Sequence, residues 1–381
     1  MTIATGLIVA NLYYNQPLLV LMAAKFHVKS EKIAQVSVMT QIGYATGMLL
    51  IAPLADMHKR KRLILICLAV AVVSLLGAAL APTVNLLILS SFLIGVFSLI
   101  PQMLVPMTAH LAKPEERGRK IGFVMSGLLI GILLSRTLSG EIGRYFGWEA
   151  MFFIAAGLMV IVWLVLYFML PEVVPHFTGT YRSLMASLFT LIREEPILRI
   201  ASVRGALCFA CFMAFWSSLT VLLSQNMGKG SDVAGWFGIV GAVGAIAAGV
   251  MGRLSDRTDA YKLSAYTLGL IIISFVIFYF SAYSIIGLVI GVIVLDAGVQ
   301  ATHISNQSVI YALKPEARNR INTVYMVSYF TGGSLGTFIT SIAWSYYQWS
   351  GVCLVGIGLS SLALVFHFLN QGTVRLARRK A

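Results

Sequence analysis

Long apolar runs alternate with short polar segments along the whole of this 381-residue chain. A helix of roughly 20 apolar residues crosses a hydrocarbon core about 30 Å thick. Twelve runs of this kind are predicted to span a membrane: 3–24, 33–54, 63–81, 84–111, 121–142, 150–170, 200–225, 233–252, 263–281, 285–312, 321–342 and 350–369. No strand is needed to explain the pattern, which predicts an all-α integral membrane protein with twelve transmembrane helices.

Composition supports this interpretation. Hydrophobic residues make up 59% of the chain and charged residues 11%, which leaves too little polar surface to cover a soluble globule. The formal net charge of +14 could indicate nucleic-acid binding. Its location between the apolar runs is better explained by the accumulation of Lys and Arg in cytoplasmic loops, so we expect no nucleic-acid partner.

The basic residues are divided unevenly between alternate loops. One set of loops, together with the carboxyl-terminal tail, carries 21 of the 28 Lys and Arg residues, and the opposite loops carry five. Because basic loops stay in the cytoplasm, both termini are predicted to be cytoplasmic. A cleaved signal peptide is the alternative for residues 1–24, but no basic segment precedes the apolar run, so we interpret it as the first span.

A repeated segment relates the two halves of the chain. Lys113-Pro-Glu-Glu-Arg-Gly-Arg119 returns with two substitutions as Lys314-Pro-Glu-Ala-Arg-Asn-Arg320, 201 positions later. Other pairs with nearly the same offset are Asp56 with Asp256, Trp148 with Trp349, Met125 with Met326, and Gly131 with Gly332. A repeat of this length predicts two pseudo-symmetric six-helix bundles with the substrate site between them.

The repeat and the spans together predict three parts. Residues 1–171 form an amino-terminal six-helix bundle, and residues 200–381 form a carboxyl-terminal bundle with a basic cytoplasmic tail. Residues 172–199 form a cytoplasmic linker between them. Within this linker Leu184, Leu188 and Leu191 recur at helical spacing, which predicts an amphipathic helix on the inner membrane face.

Twelve spans, a duplicated six-span unit and a basic loop carrying an Asp after span two resemble the major facilitator superfamily. The family's loop signature, Gly-x-Leu-Ala-Asp-Arg-x-Gly-Arg-Lys, resembles Ala52-Pro-Leu-Ala-Asp-Met-His-Lys-Arg-Lys61 and, in the second half, Gly252-Arg-Leu-Ser-Asp-Arg257. Both glycines and the first Arg of the signature are replaced in the first copy. The resemblance implies a conformational latch, which we call the loop latch, formed by Asp56, Arg60, Asp256 and Arg257. Acids that only fix topology are the alternative.

Two further segments resemble the bacterial drug and sugar efflux branch of this superfamily, whose members are proton antiporters. They are Asn11-Leu-Tyr-Tyr-Asn-Gln-Pro17 in span one and the region around Trp148. In span five, the run from Gly131 to Gly140 resembles the antiporter pattern Gly-x-x-x-Gly-Pro-x-x-Gly-Gly, with Arg136 in place of the proline. The resemblance implies the bacterial inner membrane and proton-coupled efflux of a drug, sugar or metabolite by alternating access.

Asp296 is the only acid deep within a predicted span. It lies about 11 residues, or ~16 Å, from the outer end of span ten, near the membrane midplane. Burial there favours the neutral carboxyl group, which suits a residue that binds and releases a proton. A structural ion pair and binding of a substrate cation are the alternatives.

Three polar residues continue the helical face of Asp296. Gln300, His303 and Gln307 follow it at i+4, i+7 and i+11 and form one stripe, which the resemblance places in a central cavity. We predict Asp296 and His303 to be the proton-coupling residues. Because they are ~10 Å apart along the helix axis, a relay between them would need water.

Polar residues in other spans are further candidates. Span one carries them just before Pro17, which can interrupt the helix, and span four carries Gln102 at the repeat position of His303. The substrate-cavity candidates are Asn11, Tyr14, Asn15, Gln102, Arg136, Gln300 and Gln307. Contact between helices is the alternative for the neutral ones, and snorkelling to the outer surface is the alternative for Arg136. We interpret Arg204 as an interfacial anchor.

These features predict a monomeric secondary transporter whose partners are a small-molecule substrate, protons and membrane lipids. A facilitator or a proton symporter that imports a sugar or organic acid would show the same pattern. A membrane enzyme or a non-transporting sensor would need a catalytic constellation or a soluble domain, and the sequence shows neither. We predict no cofactor, because a Gly-x-x-x-x-Gly-Lys-Ser/Thr loop is absent and the six His residues are scattered.

Overall fold

The computed structural model describes residues 1–113, 116–172, 179–241, 260–314 and 317–372. Within these ranges the regular structure is helical and no strand occurs, which confirms the all-α prediction. Nine helices in the same ranges are long and apolar enough to cross a membrane. Predicted span two is not among them because it is rich in polar residues, and predicted span eight is described only in part.

The first half of the chain contains eight α-helices and one 3₁₀ helix. They are α1 (Thr2–Ala10), α2 (Asn15–Phe26), α3 (Ser30–Leu50), the 3₁₀ helix Ala52–Asp56, α4 (Arg60–Ala79), α5 (Val84–Phe97), α6 (Pro101–Leu111), α7 (Arg117–Phe146) and α8 (Trp148–Met169). Spans one and four each comprise two of these helices.

Six further helices follow. They are α9 (Tyr181–Glu194), α10 (Pro196–Met227), the described part of α11 (231–241), α12 (Ala260–Phe280), α13 (Ile285–Tyr311) and α14 (Arg318–Leu369). α14 contains predicted spans eleven and twelve. Gln348 separates them with a non-helical backbone, φ 52° and ψ −141°.

Contacts group the described residues into two units. Unit 1 comprises those of Met1–Tyr181 and Gly228–Ile239, and unit 2 comprises those of Arg182–Met227 and Val240–Ala381. The division of the chain at residues 171 and 199, inferred from the repeat, stays a prediction.

The same close helix contact occurs once in each unit. In unit 1, α1 and α7 approach so closely that a Cβ on Gly131 would collide with the backbone of Gly6. In unit 2, α10 and α14 approach so closely that a Cβ on Gly332 would collide with the backbone of Ala206. Gly131 and Gly332 are 201 positions apart, and Gly6 and Ala206 are 200 positions apart, so the duplication is visible in the packing as well as in the sequence.

Span one is interrupted in unit 1. Between α1 and α2, the amides of Leu12 and Tyr13 donate to carbonyls three residues earlier, at 3.1 and 3.0 Å, which is the tighter 3₁₀ pattern. The interruption therefore precedes Pro17 rather than beginning at it. Pro17 has no N–H for the Tyr13 carbonyl, and Gln16 donates to that carbonyl instead, at 3.2 Å.

Span four has a similar interruption between Phe97 and Pro101. The amides of Gln102 and Met103 donate to carbonyls three residues earlier, both at 2.9 Å. The corresponding spans of unit 2 are the continuous helices α10 and α13, of 32 and 27 residues.

α9 and α10 are joined at their shared corner in unit 2. α9 buries Leu184, Leu188 and Leu191 and exposes its other face. Nη1 of Arg199 on α10 donates to the carbonyl oxygens of Ile192 and Arg193, at 3.2 and 3.0 Å. Carbonyl groups in the last turn of a helix have no donor within the helix, and these bonds supply one at the end of α9.

Candidate proton-coupling and substrate sites

The central acid of unit 2 is buried against α10. Asp296 on α13 is 4% exposed, and its Oδ1 accepts a long hydrogen bond of 3.4 Å from Nε1 of Trp216. Gly241 of α11 covers the other oxygen, because a Cβ on that glycine would lie 2.6 Å from Oδ2 and 3.2 Å from the Trp216 ring. The carboxyl group is therefore closely packed against α10 and α11.

His303 faces α14 instead. Its Nδ1 lies 3.0 Å from the Tyr325 hydroxyl, and its ring centre lies 4.7 Å from that of Tyr329. Its side chain is half-buried, as are those of Gln300 and Gln307 on the same helix. The two proton-coupling candidates thus share one helix, but they pack against different neighbours.

A buried cation occupies unit 2 as well. Arg204 on α10 is 5% exposed, so its interpretation as an interfacial anchor is wrong. Nε donates to Oδ1 of Asn306 at 2.8 Å, and Nη2 donates to the same oxygen. Nη1 lies 2.9 Å from Nδ1 of His367. Because a guanidinium group only donates, Nδ1 is the acceptor and the neutral His367 ring carries its proton on Nε2.

Unit 1 also contains a buried cation. Arg136 on α7 is 1% exposed, so the snorkelling alternative is wrong. Its Nε donates to Oε1 of Gln16 at 2.8 Å, and its guanidinium carbon lies 4.8 Å from the centre of the Tyr13 ring. A charge-assisted hydrogen bond and a cation–π contact offset part of the cost of removing this charge from water.

The two asparagines of span one face different helices. Asn15 donates to Oγ1 of Thr40 at 3.2 Å and accepts from Oγ of Ser37 at 2.8 Å, so both ends of its amide contact α3. Asn11 donates to the Met159 sulfur of α8 at 3.3 Å, and its Oδ1 is buried without a hydrogen-bond partner in the described part of the chain. Tyr14, between them, is 2% exposed.

A pair of glutamines lies beside the interruption of span four and α3. Gln102 donates to the Tyr44 hydroxyl of α3 at 3.2 Å. Gln41, one turn before Tyr44, is 1% exposed, and among the described residues neither its oxygen nor its nitrogen finds a partner. Leaving such a group unpaired costs roughly 1–3 kcal/mol, so Gln41 is a buried polar group that calls for an explanation and that sequence reasoning missed.

The loop latch is only partly described. Arg60 donates from Nε to the Ala55 carbonyl oxygen at 3.1 Å. The side chain of Asp56, together with Asp256 and Arg257, lies outside the described residues, so the latch stays a prediction. No group of three His, Cys, Asp or Glu residues that could hold a metal ion occurs in the described part of the chain.

Several partners could have been noticed in the sequence as polar residues within apolar runs. Asn306 and His367 are such residues, but neither lies on the stripe of Asp296. Trp216 and Tyr325 gave no signal, because aromatic residues are common in packed spans. Their roles depend on contacts between helices distant in the sequence.

Comparison with known proteins gives consistent results. Residues 1–337 match the family model of the Major Facilitator Superfamily. The uncharacterized transporter YgaY of Escherichia coli O157:H7 is 40% identical, over 96% of this chain and 92% of its own length. The "Probable transporter SCO4007" of Streptomyces coelicolor is 31% identical, over 93% of this chain and 82% of its own length.

Solved structures share the fold at low identity. A bacterial homolog to the human lysosomal transporter Spinster, in an inward-facing and occupied conformation, has a TM-score of 0.75 at 14% identity, covering 97% of this chain and 94% of its own. The nucleoside transporter NupG has a TM-score of 0.75 at 15% identity, covering 97% and 98%. Identities this low show the fold alone.

Proposed function

The chain belongs to the Major Facilitator Superfamily, and we propose that it is a secondary active transporter that exports a small molecule in exchange for protons. The family and the relatives establish the coarser part, which is that the protein is a membrane transporter and not an enzyme. The direction of transport, the coupling to protons and the class of substrate belong to the proposal.

The observation that carries the proposal is the burial of Asp296 in the middle of span ten. A permanently charged carboxylate at that depth would be costly, so such acids in membrane proteins commonly serve proton or ion pathways. The Trp216 indole can donate a hydrogen bond to the charged form. Asp296 can therefore alternate between a neutral and a charged state as its access to water changes. We assign it the coupling role, with His303 as a second proton site.

Neutral polar groups in both units supply the proposed substrate contacts. In unit 1 these are Asn11, Tyr14, Asn15 and Gln102, with Arg136 as the cationic member, and in unit 2 they are Gln300 and Gln307. Amides and hydroxyls suit substrates that carry hydroxyl, carbonyl or amide groups, which includes sugars and many drugs. The loop latch, formed by Asp56, Arg60, Asp256 and Arg257, would hold one conformation of the transport cycle.

We further propose a location in the bacterial inner membrane, with both termini in the cytoplasm and the protein acting as a monomer in contact with lipid. The bacterial origin of the relatives and the uneven distribution of basic residues between alternate loops support this placement.

The test uses inside-out vesicles without an imposed gradient and a pH-sensitive dye in the lumen. Lipophilic cations, sugars and amino-acid metabolites are added outside in turn. An antiporter that moves substrate into the lumen releases protons and makes the lumen alkaline. A symporter makes it acidic, and a facilitator moves labelled substrate without a pH change. The sign of the signal therefore separates the three mechanisms.

Two substitutions locate the coupling group. Asp296→Asn is expected to abolish the alkaline signal, and Glu149→Gln, an acid-to-amide change at the Lys25 contact in the first turn of α8, is expected to leave it intact. Equal alkaline signals in wild type and Asp296→Asn would remove Asp296 from the coupling role. An acid signal in the wild type would replace efflux by symport.

A further inference from the structure

A cavity of about 590 Å³ opens between α4 and α8 of unit 1, apart from the sites described above. We call it the basic groove. Its polar end carries Lys61, Arg62 and Glu172, and its apolar wall carries Leu65, Ile66 and Ala69, with Trp163 and Tyr167 opposite.

The polar end of the basic groove has a surplus of positive charge. α4 begins within four consecutive basic residues, 59–62. Glu172 is bound by Lys59 at 2.9 Å, and this contact holds the pKa of the Glu172 carboxyl below its usual value. Among the described residues, no carboxylate lies within salt-bridge distance of Lys61 or Arg62. Lys61 and Arg62 thus make the mouth of the groove positively charged, which favours an anion there.

The aromatic wall of the groove is held in place. Trp163 and Tyr167 stack with their ring centres 5.2 Å apart, and Nε1 of Trp163 donates to the Leu65 carbonyl oxygen at 3.0 Å. Nζ of Lys61 lies 5.7 Å from the Tyr167 ring centre. Trp, Tyr and Lys together are characteristic of the level at which lipid headgroups meet the hydrocarbon core.

The apolar wall continues from that level along α4. Leu65, Ile66 and Ala69 follow Arg62 toward the middle of the span, and the Ile66 side chain is 51% exposed. A soluble anion would make no use of this strip, whereas an acyl chain would cover it. The cations and the apolar strip are also adjacent, as the headgroup and chain of one lipid molecule are.

We propose that the basic groove binds one anionic phospholipid of the adjacent leaflet, with its phosphate between Lys61 and Arg62 and an acyl chain along Leu65, Ile66 and Ala69. Basic pockets between membrane-spanning helices recognise anionic headgroups by this combination of charge and depth. The site does not depend on the direction or coupling of transport.

The experiment measures lipid retained by the purified full chain, by native mass spectrometry, and its melting temperature during titration with phosphatidylglycerol or phosphatidylcholine. Wild type is expected to retain one phosphatidylglycerol molecule and to melt at a higher temperature with it than with phosphatidylcholine. Each Lys or Arg near an anionic surface contributes about fivefold to binding, so Lys61→Gln with Arg62→Gln is expected to weaken it roughly 25-fold.

Two further double variants serve as controls. Lys113→Gln with Arg119→Gln removes the same charge from another loop and is expected to bind phosphatidylglycerol as wild type does. Lys61→Arg with Arg62→Lys keeps the charge and is expected to retain the lipid, which shows that any loss is not a folding defect. Equal retention by wild type and by the variant lacking both groove cations would overturn the proposal. An equal rise in melting temperature with inorganic phosphate would replace the lipid by a soluble anion.

Discussion

Spans one and four of unit 1 differ from the corresponding helices α10 and α13 of unit 2, although the units are related by a sequence repeat. Spans one and four of unit 1 are interrupted at residues 11–14 and 98–100, whereas α10 and α13 of unit 2 are continuous. Unit 1 presents amides, hydroxyls and Arg136 near its interruptions. Unit 2 carries Asp296, His303 and Arg204 on unbroken helices.

The repeat shows where this difference arose. At the offset of 201 residues, Asp296 corresponds to Gly95, and Arg204 corresponds to Ile3. A Cβ on Gly95 would collide with the Thr40 carbonyl oxygen, so that position holds two helices together in unit 1. Duplication has preserved the close helix contacts and changed the ionisable groups. This supports assigning proton movement to unit 2 and neutral substrate contacts mainly to unit 1.

The largest loss of stability is expected from substitutions at the close helix contact that the two units share. Gly131→Ala and Gly332→Ala each place a Cβ against backbone, so each should destabilise its unit by about 3 kcal/mol. Gly157→Ala and Gly358→Ala have open space around the new Cβ and should be neutral or slightly stabilising. Melting temperatures of the four purified variants test this. Similar values for all four would contradict the equivalence of the two contacts.

A smaller difference should separate the two buried cations. The guanidinium group of Arg204 donates hydrogen bonds to both Asn306 and His367, and a Lys cannot make both. Arg204→Lys is therefore expected to lower the free energy of unfolding by about 2–3 kcal/mol. Arg136→Lys keeps a cation over Tyr13 and a donor for Gln16, and should cost about 1 kcal/mol. Urea unfolding in detergent measures both, and a reversed order would show that the contacts do not determine the cost.

The smallest effects are expected for two surface ion pairs, one of which is lost in acid and the other in alkali. In unit 1, Lys59 lowers the pKa of Glu172, so the stability from this pair is present above the ordinary Glu pKa of 4.5 and is lost as pH falls through the lower folded value. In unit 2, Glu195 and Glu194 raise the pKa of Lys314. That contribution is complete below the ordinary Lys pKa of 10.5 and is lost as pH rises through the folded value.

Melting curves across pH distinguish the two pairs. The difference between wild type and Lys59→Gln should vanish in acid, and the difference between wild type and Lys314→Gln should vanish in strong alkali. Both differences should be small, because these side chains are exposed and screened by salt. A Lys59→Gln difference that persists unchanged at low pH would rule out Glu172 as its cause.

Most of the fold could be predicted from the hydrophobic pattern, because a membrane span requires a long apolar run whatever its partners are. The position of Asp296 in the middle of a long apolar helix could be predicted for the same reason. The surroundings of Arg136 and Arg204 could not, because position along a helix does not fix which side of it faces a neighbour. His367 lies 163 residues from Arg204, and Trp216 lies 80 residues from Asp296. Only tertiary packing joins them.

The continuity of α10 has a mechanical consequence. At ~1.5 Å per residue its 32 residues form a rod ~48 Å long, which exceeds the thickness of the hydrocarbon core. One end is fixed to α9 through Arg199, and Trp216 lies about two thirds of the way along. The corner with α9 and the indole that contacts Asp296 therefore belong to one rigid element, and a displacement of α10 as a whole would move both together.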